Sequence, residues 1–288
     1  MRKKIYHLKK VIVMLLLITC FSCVADELKD CRYSKDDVLI FNKVMDKILP
    51  IKNLPMSELM IETSYVLLGT PYVAGTLEIE PEILTINMRE TDCILFVEMC
   101  LALSLTAKDD KPNFENYCNN IRNLRYFKGK VKGYSSRLHY TSSWISQAEK
   151  SKILKEISAE IGGTKLKQTF SFMSSHFELY KQLKENPLLV SEIKKTEVRL
   201  NKDEYYYIPK ANIVSIKNKI NSGDIICFNS SVEGLDIAHV GLALWKNGEL
   251  TFIHASYTEK KVIINKIPLV EYTNGIKSHN GLRILRVL

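Results

Sequence analysis

Trp245-Lys246-Asn247-Gly248-Glu249-Leu250 constrains this chain more than any other stretch. Asn-Gly between two apolar runs is the strongest short signal for a two-residue hairpin. A turn at those residues sets Lys246 opposite Glu249 and His254 opposite Gly241. Side chains alternate between faces, so Gly241 and His239 point the same way. His254 then becomes the diagonal neighbour of His239, about 7–8 Å away between backbones. Two imidazoles can bridge that gap across the space Gly241 leaves empty. A one-residue slip would send His254 to the opposite face. The spacing therefore predicts a histidine pair on one sheet face, conditional on the turn.

A second feature lies far upstream. Thr91-Asp92-Cys93-Ile94-Leu95-Phe96-Val97-Glu98 reads as a helix start, with Asp92 able to cap an exposed backbone N–H and Cys93 on the first turn. The helix N-terminus is expected to lower the thiol pKa and raise its thiolate fraction. A thiolate, a histidine base and a polar group to orient that base are the parts of a cysteine hydrolase. The residues leave two other chemistries open. The same histidines with Asp236 or Asp224 would make three zinc ligands, although no His-x-x-x-His or related spacing is present. Ser142 and Ser143 are candidate nucleophiles, but neither sits in Gly-x-Ser-x-Gly. From spacing, Cys–His–His leads.

The N-terminus reads as targeting, not fold. Arg2, Lys3, Lys4, Lys9 and Lys10 precede the apolar run Val11 to Ile18, and Ser22 precedes Cys23. This is a secretory signal over residues 1–22 with a lipoprotein-like cleavage site, Cys23 being the lipidated residue. The expectation is an exported lipoprotein facing the periplasm and held to the membrane by its N-terminal lipid. Loss of residues 1–22 removes five positive charges and no negative ones, taking the formal charge from +9 to +4. The remainder is too mild and dispersed for a nucleic-acid surface. Cys31, Cys93, Cys100, Cys118 and Cys227 also remain, an odd number that leaves at least one thiol unpaired. Cys93 and Cys100, about 10.5 Å apart along one helix, are beyond disulfide reach. Cys100, Cys118 and Cys227 read as core residues.

Residues 23–35 read as a tether and 36–288 as one domain. Val38, Phe41, Val44, Met45, Ile48 and Leu49 recur at helical spacing, and a second helix is expected from Glu58 to Leu68. The Cys93 helix should end near Leu105. Residues 106–215 are mixed: Trp144 to Ile161 suggests one amphipathic helix, and Phe170 to Leu183 another. From 224 onward short β-type runs follow one another: Asp224–Phe228, His239–Trp245, Leu250–His254, Val262–Asn265 and Leu282–Val287. Helices first and a sheet afterwards argue an α+β fold around one main core.

Several segments, in this order, resemble the NlpC-type superfamily of papain-like cell-wall hydrolases. Gly69-Thr70-Pro71-Tyr72 resembles the loop before the nucleophile, and Asp92-Cys93 with its apolar helix the nucleophile segment. Gly223-Asp224-Ile225-Ile226-Cys227-Phe228 resembles the strand before the catalytic histidine. Ala238-His239-Val240-Gly241-Leu242-Ala243 resembles the base strand, and Ile253-His254-Ala255-Ser256 the strand carrying the third residue. Two departures stand out. Cys93 is followed by Ile94-Leu95-Phe96 instead of Ser-Gly, and 146 residues separate Cys93 from His239. Both point to the N-acetylmuramoyl-L-alanine amidase-like family with its large insertion. Ser136-Arg137-Leu138-His139-Tyr140-Thr141, followed by Trp144, resembles that insertion, and Gly234-Leu235-Asp236-Ile237-Ala238-His239 its base strand.

The resemblance implies a papain-like (NlpC-type) core with N-terminal helices, a C-terminal antiparallel sheet and an insertion at about 106–215. It implies Cys93 as nucleophile, His239 as base, His254 as its orienting partner and Tyr72 beside the reacting carbonyl, with no cofactor or metal. Arg137, His139, Tyr140, Trp144 and Asp236 would line the substrate site. Arg137 would grip a carboxylate, and Tyr140 or Trp144 would face a sugar ring. The implied reaction is hydrolysis of the bond between muramic acid and L-alanine in peptidoglycan fragments, notably anhydro-muropeptides, in cell-wall turnover or recycling. The alternatives are a γ-D-glutamyl–diamino-acid endopeptidase of the same chemistry and an inactive muropeptide-binding lipoprotein.

Overall fold

Asn247 and Gly248 adopt φ of 52° and 80°, the two positive values a type I′ turn requires. Their strands pair in the expected register, from Lys246 with Glu249 to Leu242 with Ile253. The computed structural model describes residue 28 and residues 30–288, so the expected signal segment and Cys23 lie outside the described residues. Residues Cys31–Leu288 form one compact unit.

Its strands are β1 (Cys31–Arg32), β2 (Leu84–Thr85), β3 (Leu154–Glu156), β4 (Thr164–Lys165), β5 (Tyr206–Pro209), β6 (Ile225–Ser230), β7 (Ile237–Lys246), β8 (Glu249–Ser256), β9 (Lys261–Ile264) and β10 (His279–Val287). The principal helices are α1 (Lys35–Ile48), α2 (Met56–Val66), α3 (Cys93–Lys108), α4 (Phe114–Arg125), α5 (Thr141–Lys150), α6 (Pro187–Leu200) and α7 (Leu269–Gly275). The main sheet runs β4-β5-β10-β6-β7-β8-β9, with β3 also pairing to β10, and its pairings are antiparallel. Every residue of β6 is buried, as expected of a strand at the centre of a sheet covered on both faces.

Helix α1 starts at Ser34 in a reciprocal capping box with Asp37. Asp37 is itself buried and accepts from the Met88 amide at 2.8 Å, tying the helix start to the segment before Cys93. The ordered domain therefore begins before residue 36. Cys31 and Arg32 already pair in parallel with Leu84 and Thr85, within the stretch expected to be tether.

The middle of the chain departs most from expectation. The apolar positions from Trp144 to Ile161 do not make one helix. Helix α5 ends near Lys150, Lys152 turns the chain at φ 56°, and Leu154–Glu156 then pairs with β10. Between Phe170 and Leu183 only a single helical turn forms, at Phe172–Ser175, before a 3-10 turn at Phe177–Leu179. Residues 106–215 also contribute β3, β4 and β5 to the sheet. The insertion is thus built into the core, and Ile157, Ile161, Ile208 and Ile213 pack in one cluster with Phe228 and Phe252.

The loop after α2 positions the Cys93 helix. Gly69 at φ 86° lets the chain leave α2. Its amide donates to the Val262 carbonyl at 2.9 Å, and Val262 donates back to Thr70 at 2.8 Å. The Tyr72 amide then donates to Lys260 at 2.9 Å, while Thr91 donates to Pro71 at 2.9 Å. One short extended segment therefore covers the β9 edge and carries Thr91, two residues before Cys93, alongside it.

Candidate active site

Asp92 caps α3 as expected: its carboxylate accepts from the Leu95 amide at 3.0 Å, and Cys93 opens the first turn. The helix packs against β7 and β8. The sulfur is faced by three backbone amides, those of Cys93, Ile94 and Val240, and Val240 is the residue after His239. These donors favour the thiolate, but two stronger effects oppose them. Burial and the neighbouring Asp92 carboxylate push the thiol up to about 12. The expectation of a thiol acidified by its helix N-terminus is corrected here. The dipole effect is present, and desolvation exceeds it.

On the hairpin, His239 Nε2 and His254 Nδ1 lie 2.7 Å apart, with the rings nearly perpendicular at 85°. Gly241 is what permits this. A Cβ there would meet the Ile253 carbonyl oxygen at 2.8 Å, Phe252 Cδ2 at 2.9 Å and His254 Cβ at 3.2 Å. Burial, together with the neighbouring His254 and His279, holds His239 well below the usual histidine range, and burial brings His254 down to about 4. Both imidazoles rest neutral at pH 7. With Nε2 of His239 committed to His254, Nδ1 is the nitrogen left to accept a proton. His254 Nε2 is buried without a well-aligned partner, and Asn265 is the polar side chain that faces it.

Tyr72 is half-buried, its ring edge-on to Tyr257 at 5.6 Å between centroids. Burial, then the nearby Cys93 and Asp92, push its hydroxyl up to about 12, so it stays a donor at neutral pH.

The expected substrate wall is placed differently. Tyr140 is 2% exposed, and its hydroxyl donates to Glu197 at 2.8 Å and accepts from the Met173 amide at 3.0 Å. Trp144 is equally buried. Neither presents a free ring face to a sugar: the Tyr140 ring stacks on Phe170 within the insertion's own apolar cluster, and Trp144 is 2% exposed. Asp236 is buried and accepts from the Ser142 amide at 2.7 Å. It thereby caps α5 from across the fold and does not face a substrate. Ser142 receives a bond from Arg283 at 2.7 Å, and Ser143 is buried, so neither serine is an exposed nucleophile.

Arg137 is held by Glu78 at 2.7 Å and Glu82 at 2.9 Å, and its guanidinium lies over the Tyr134 ring. Two of its nitrogens are thus occupied by the protein's own carboxylates, leaving buried Nε without a partner. His139 hydrogen-bonds the Tyr134 carbonyl at 2.8 Å, and burial and Arg137 lower it to about 3. Arg137, His139 and Trp144 nevertheless line a 150 Å³ cavity that also touches Asp92 and Ile94, on the first turn of the Cys93 helix.

Three neighbours of the site escaped the sequence reading. His279 stacks on Phe228 at 4.9 Å and lowers His239 through space. Tyr272 of α7 lies 5.9 Å from His254 between ring centroids and is within electrostatic reach of Cys93. Glu98, on the Cys93 helix, forms a buried ion pair with Arg125 at 2.9 Å. The only sequence signals were a further histidine three residues before the last expected strand and opposite charges on two helices. Among the described residues, no cluster of three or more His, Cys, Asp or Glu is placed to hold a metal ion.

The sequence matches the family described as N-acetylmuramoyl-L-alanine amidase-like over residues 62–281. The chain belongs to that family. Solved structures named as amidases agree with this assignment. An N-acetylmuramoyl-L-alanine amidase from Bacteroides uniformis is 37% identical, with a TM-score of 0.77, covering 81% of this chain and 98% of its own. A Bacteroides fragilis protein provisionally designated a xylanase is 39% identical, with a TM-score of 0.74, covering 77% and 98%. Protein LPG0564 of Legionella pneumophila, 21% identical with a TM-score of 0.64, shares the fold over 87% of this chain and 95% of its own. Comparison with curated proteins gives no match. The amidase-like structures share the mixed α+β architecture, helices with an antiparallel sheet, described above.

Proposed function

We propose that this amidase-like protein is a cysteine hydrolase that cleaves the N-acetylmuramoyl-L-alanine amide bond of peptidoglycan fragments, using an NlpC-type, papain-like arrangement of Cys93, His239 and His254. The observation that carries the reading is the 2.7 Å contact between His239 Nε2 and His254 Nδ1, beside a helix-start cysteine whose sulfur faces the Val240 amide. In this mechanism His239 Nδ1 takes the Cys93 proton as the sulfur attacks the lactyl carbonyl. The oxyanion accepts from the Cys93 amide and the Tyr72 hydroxyl. His239 returns the proton to the departing L-alanine nitrogen, and water, activated by the same imidazole, hydrolyses the thioester. His254 accepts from His239 Nε2–H and so fixes the tautomer that leaves Nδ1 free.

The 150 Å³ cavity beside Asp92 is smaller than the roughly 300–1,000 Å³ of sites that enclose a whole small molecule. It suits part of the substrate, such as the L-alanyl residue, in place of the sugar. Cys23 as a lipid anchor on the periplasmic side completes the proposal. Cys23→Ser should then release the protein from membranes or block processing, and an unlipidated mature N-terminus would refute the anchor alone.

Mass spectrometry of an anhydro-muropeptide digest tests the activity. Release of a peptide beginning with L-alanine is expected, and Cys93→Ala should abolish it with the fold intact. A stem cut after D-glutamate would assign the endopeptidase reaction instead. Undiminished turnover by Cys93→Ala would end the cysteine mechanism.

A further inference from the structure

Two of the cysteines outside the site are neighbours. Cys118 lies on the buried face of α4, where Tyr117, Ile121 and Leu124 also point inward. Cys31 lies in β1, held by pairing with Leu84. The Tyr33 ring packs on Phe114 at 5.1 Å, and Phe41 packs on Phe114 and Tyr117 at 5.5 Å each. The strand is therefore fixed along the helix at the height of Cys118. Each thiol is the strongest influence on the other, although 87 residues separate them in the chain. A disulfide needs Cα atoms within about 7 Å and converging side chains, and a strand held along one face of the helix can offer both. Cys100 and Cys227 are buried without such a partner.

We propose that Cys31 and Cys118 are a disulfide-forming pair that locks the entry of the N-terminal segment onto α4. As a physiological modification this rests on the exported location put forward above, since disulfides persist in oxidising compartments. Bond formation in the purified protein does not depend on it.

The environment suits the chemistry. The Cys118 thiol beside it, with Arg122 and Arg125 nearby, lowers Cys31, while Cys118 is pushed up. Cys31 is also the more accessible of the two. Its thiolate attacks the disulfide of the oxidant, forming a mixed disulfide and releasing one oxidant thiol. Cys118 then loses its proton and attacks the Cys31 sulfur, expelling the second. Two protein thiols are oxidised and one oxidant disulfide is reduced to two thiols. The cross-linked helix ends at Arg125, which pairs with Glu98 on the Cys93 helix, so the lock braces the layer beneath the candidate site.

The test uses the full-length protein in detergent, incubated with oxidised glutathione, alkylated under denaturing conditions without reduction, and digested for mass spectrometry. The Cys31 and Cys118 peptides should appear joined, and separate after dithiothreitol. In Cys118→Ser, Cys31 should instead carry glutathione. The oxidised wild type should melt about 5–10 °C above the reduced form, given the long loop closed. Recovery of Cys31 and Cys118 as alkylated thiols after oxidant, or joined to other cysteines, would overturn the proposal. If the cross-link forms in vitro while the cell-derived protein is reduced and cytosolic, the pairing stands and the export reading fails.

Discussion

Gly241→Ala is the substitution that most directly probes the link between the hairpin and the site. Its methyl carbon would start 2.8 Å from the Ile253 carbonyl oxygen and 3.2 Å from His254 Cβ. Relaxed carbon–oxygen contacts lie at roughly 3.3–3.6 Å. The strands must therefore part by about 0.5 Å at the position that carries His254. Over-packing of this kind typically costs about 1–3 kcal/mol of stability. A misplacement of about 1 Å can cost about 100-fold in rate, so half of that predicts a loss of about tenfold in kcat/KM on a defined muropeptide. Gly248→Ala is the control. It also introduces a side chain at positive φ, here 80°, but with nothing within 4 Å. Strain of about 1–2 kcal/mol is expected there, with turnover within about twofold of wild type. Urea unfolding and steady-state kinetics on both variants decide the matter. Full turnover and unchanged stability in Gly241→Ala, or equal loss of turnover in both, would refute the reasoning.

Four further outcomes are expected. His239→Ala should lose about as much turnover as Cys93→Ala, because groups acting as a unit are not additive. His254→Ala should retain measurable activity because it orients without transferring the proton; a dead His254→Ala with a live His239→Ala in the same kinetic assay would reverse these roles. Iodoacetamide should modify Cys31 ahead of Cys93 in the reduced, substrate-free protein, since Cys31 is lowered and Cys93 raised; peptide mapping that finds Cys93 first would contradict a neutral resting thiol. Burial lowers His279 to about 4 against about 6.5 when unfolded, so the unfolded chain binds the extra proton and stability falls as pH drops from about 6.5 towards 4. His279→Phe should flatten that fall by up to about 1.4 kcal/mol per pH unit, and an unchanged slope of urea-derived stability between pH 6.5 and 5 would show that His279 is not its source.

What could be read from the sequence follows from where the information is local. The hairpin register was legible because a two-residue turn and strict alternation leave one pairing, and β7 and β8 follow it. The Asp92 cap was legible for the same reason, being a contact three residues long. The sign of the Cys93 shift was not, because desolvation depends on what is packed over the thiol and no local pattern reports that. Asp236 illustrates a different loss. It lies three residues before His239, yet its carboxylate serves the start of α5, 94 residues earlier in the chain. Trp144 to Ile161 misled for a third reason. Apolar residues at 154, 157 and 161 satisfy helical spacing, but the β10 edge offers Leu154–Glu156 a ladder, and the turn at Lys152 delivers them to it. Helices α4 and α6 did carry readable signals, in Asn113 and in Asn186 followed by Pro187. The mixed polar composition around them hid the periodicity.

The opposition between amides and burial at Cys93 bears on how the proposed reaction is controlled. Backbone amides act on the thiolate over a short range, and three of them, two from the helix start and one from β7, bear on this sulfur. Were they to dominate, the resting enzyme would hold a thiolate–imidazolium pair, ready to react with any electrophile. Here burial and Asp92 raise the thiol, while burial and two neighbouring histidines depress His239. Both shifts favour the same neutral state, with the proton on sulfur. On the proposed mechanism, charge then develops only when a carbonyl occupies the site, because the oxyanion meets donors already aimed at it, the Cys93 amide and a Tyr72 hydroxyl that remains protonated up to about 12. Proton transfer from sulfur to His239 Nδ1 becomes part of the attack itself. That places the kinetic burden on the position and tautomer of one imidazole, which in turn rests on His254, on the close approach that Gly241 permits and on the Asn247-Gly248 turn that sets the register of both strands.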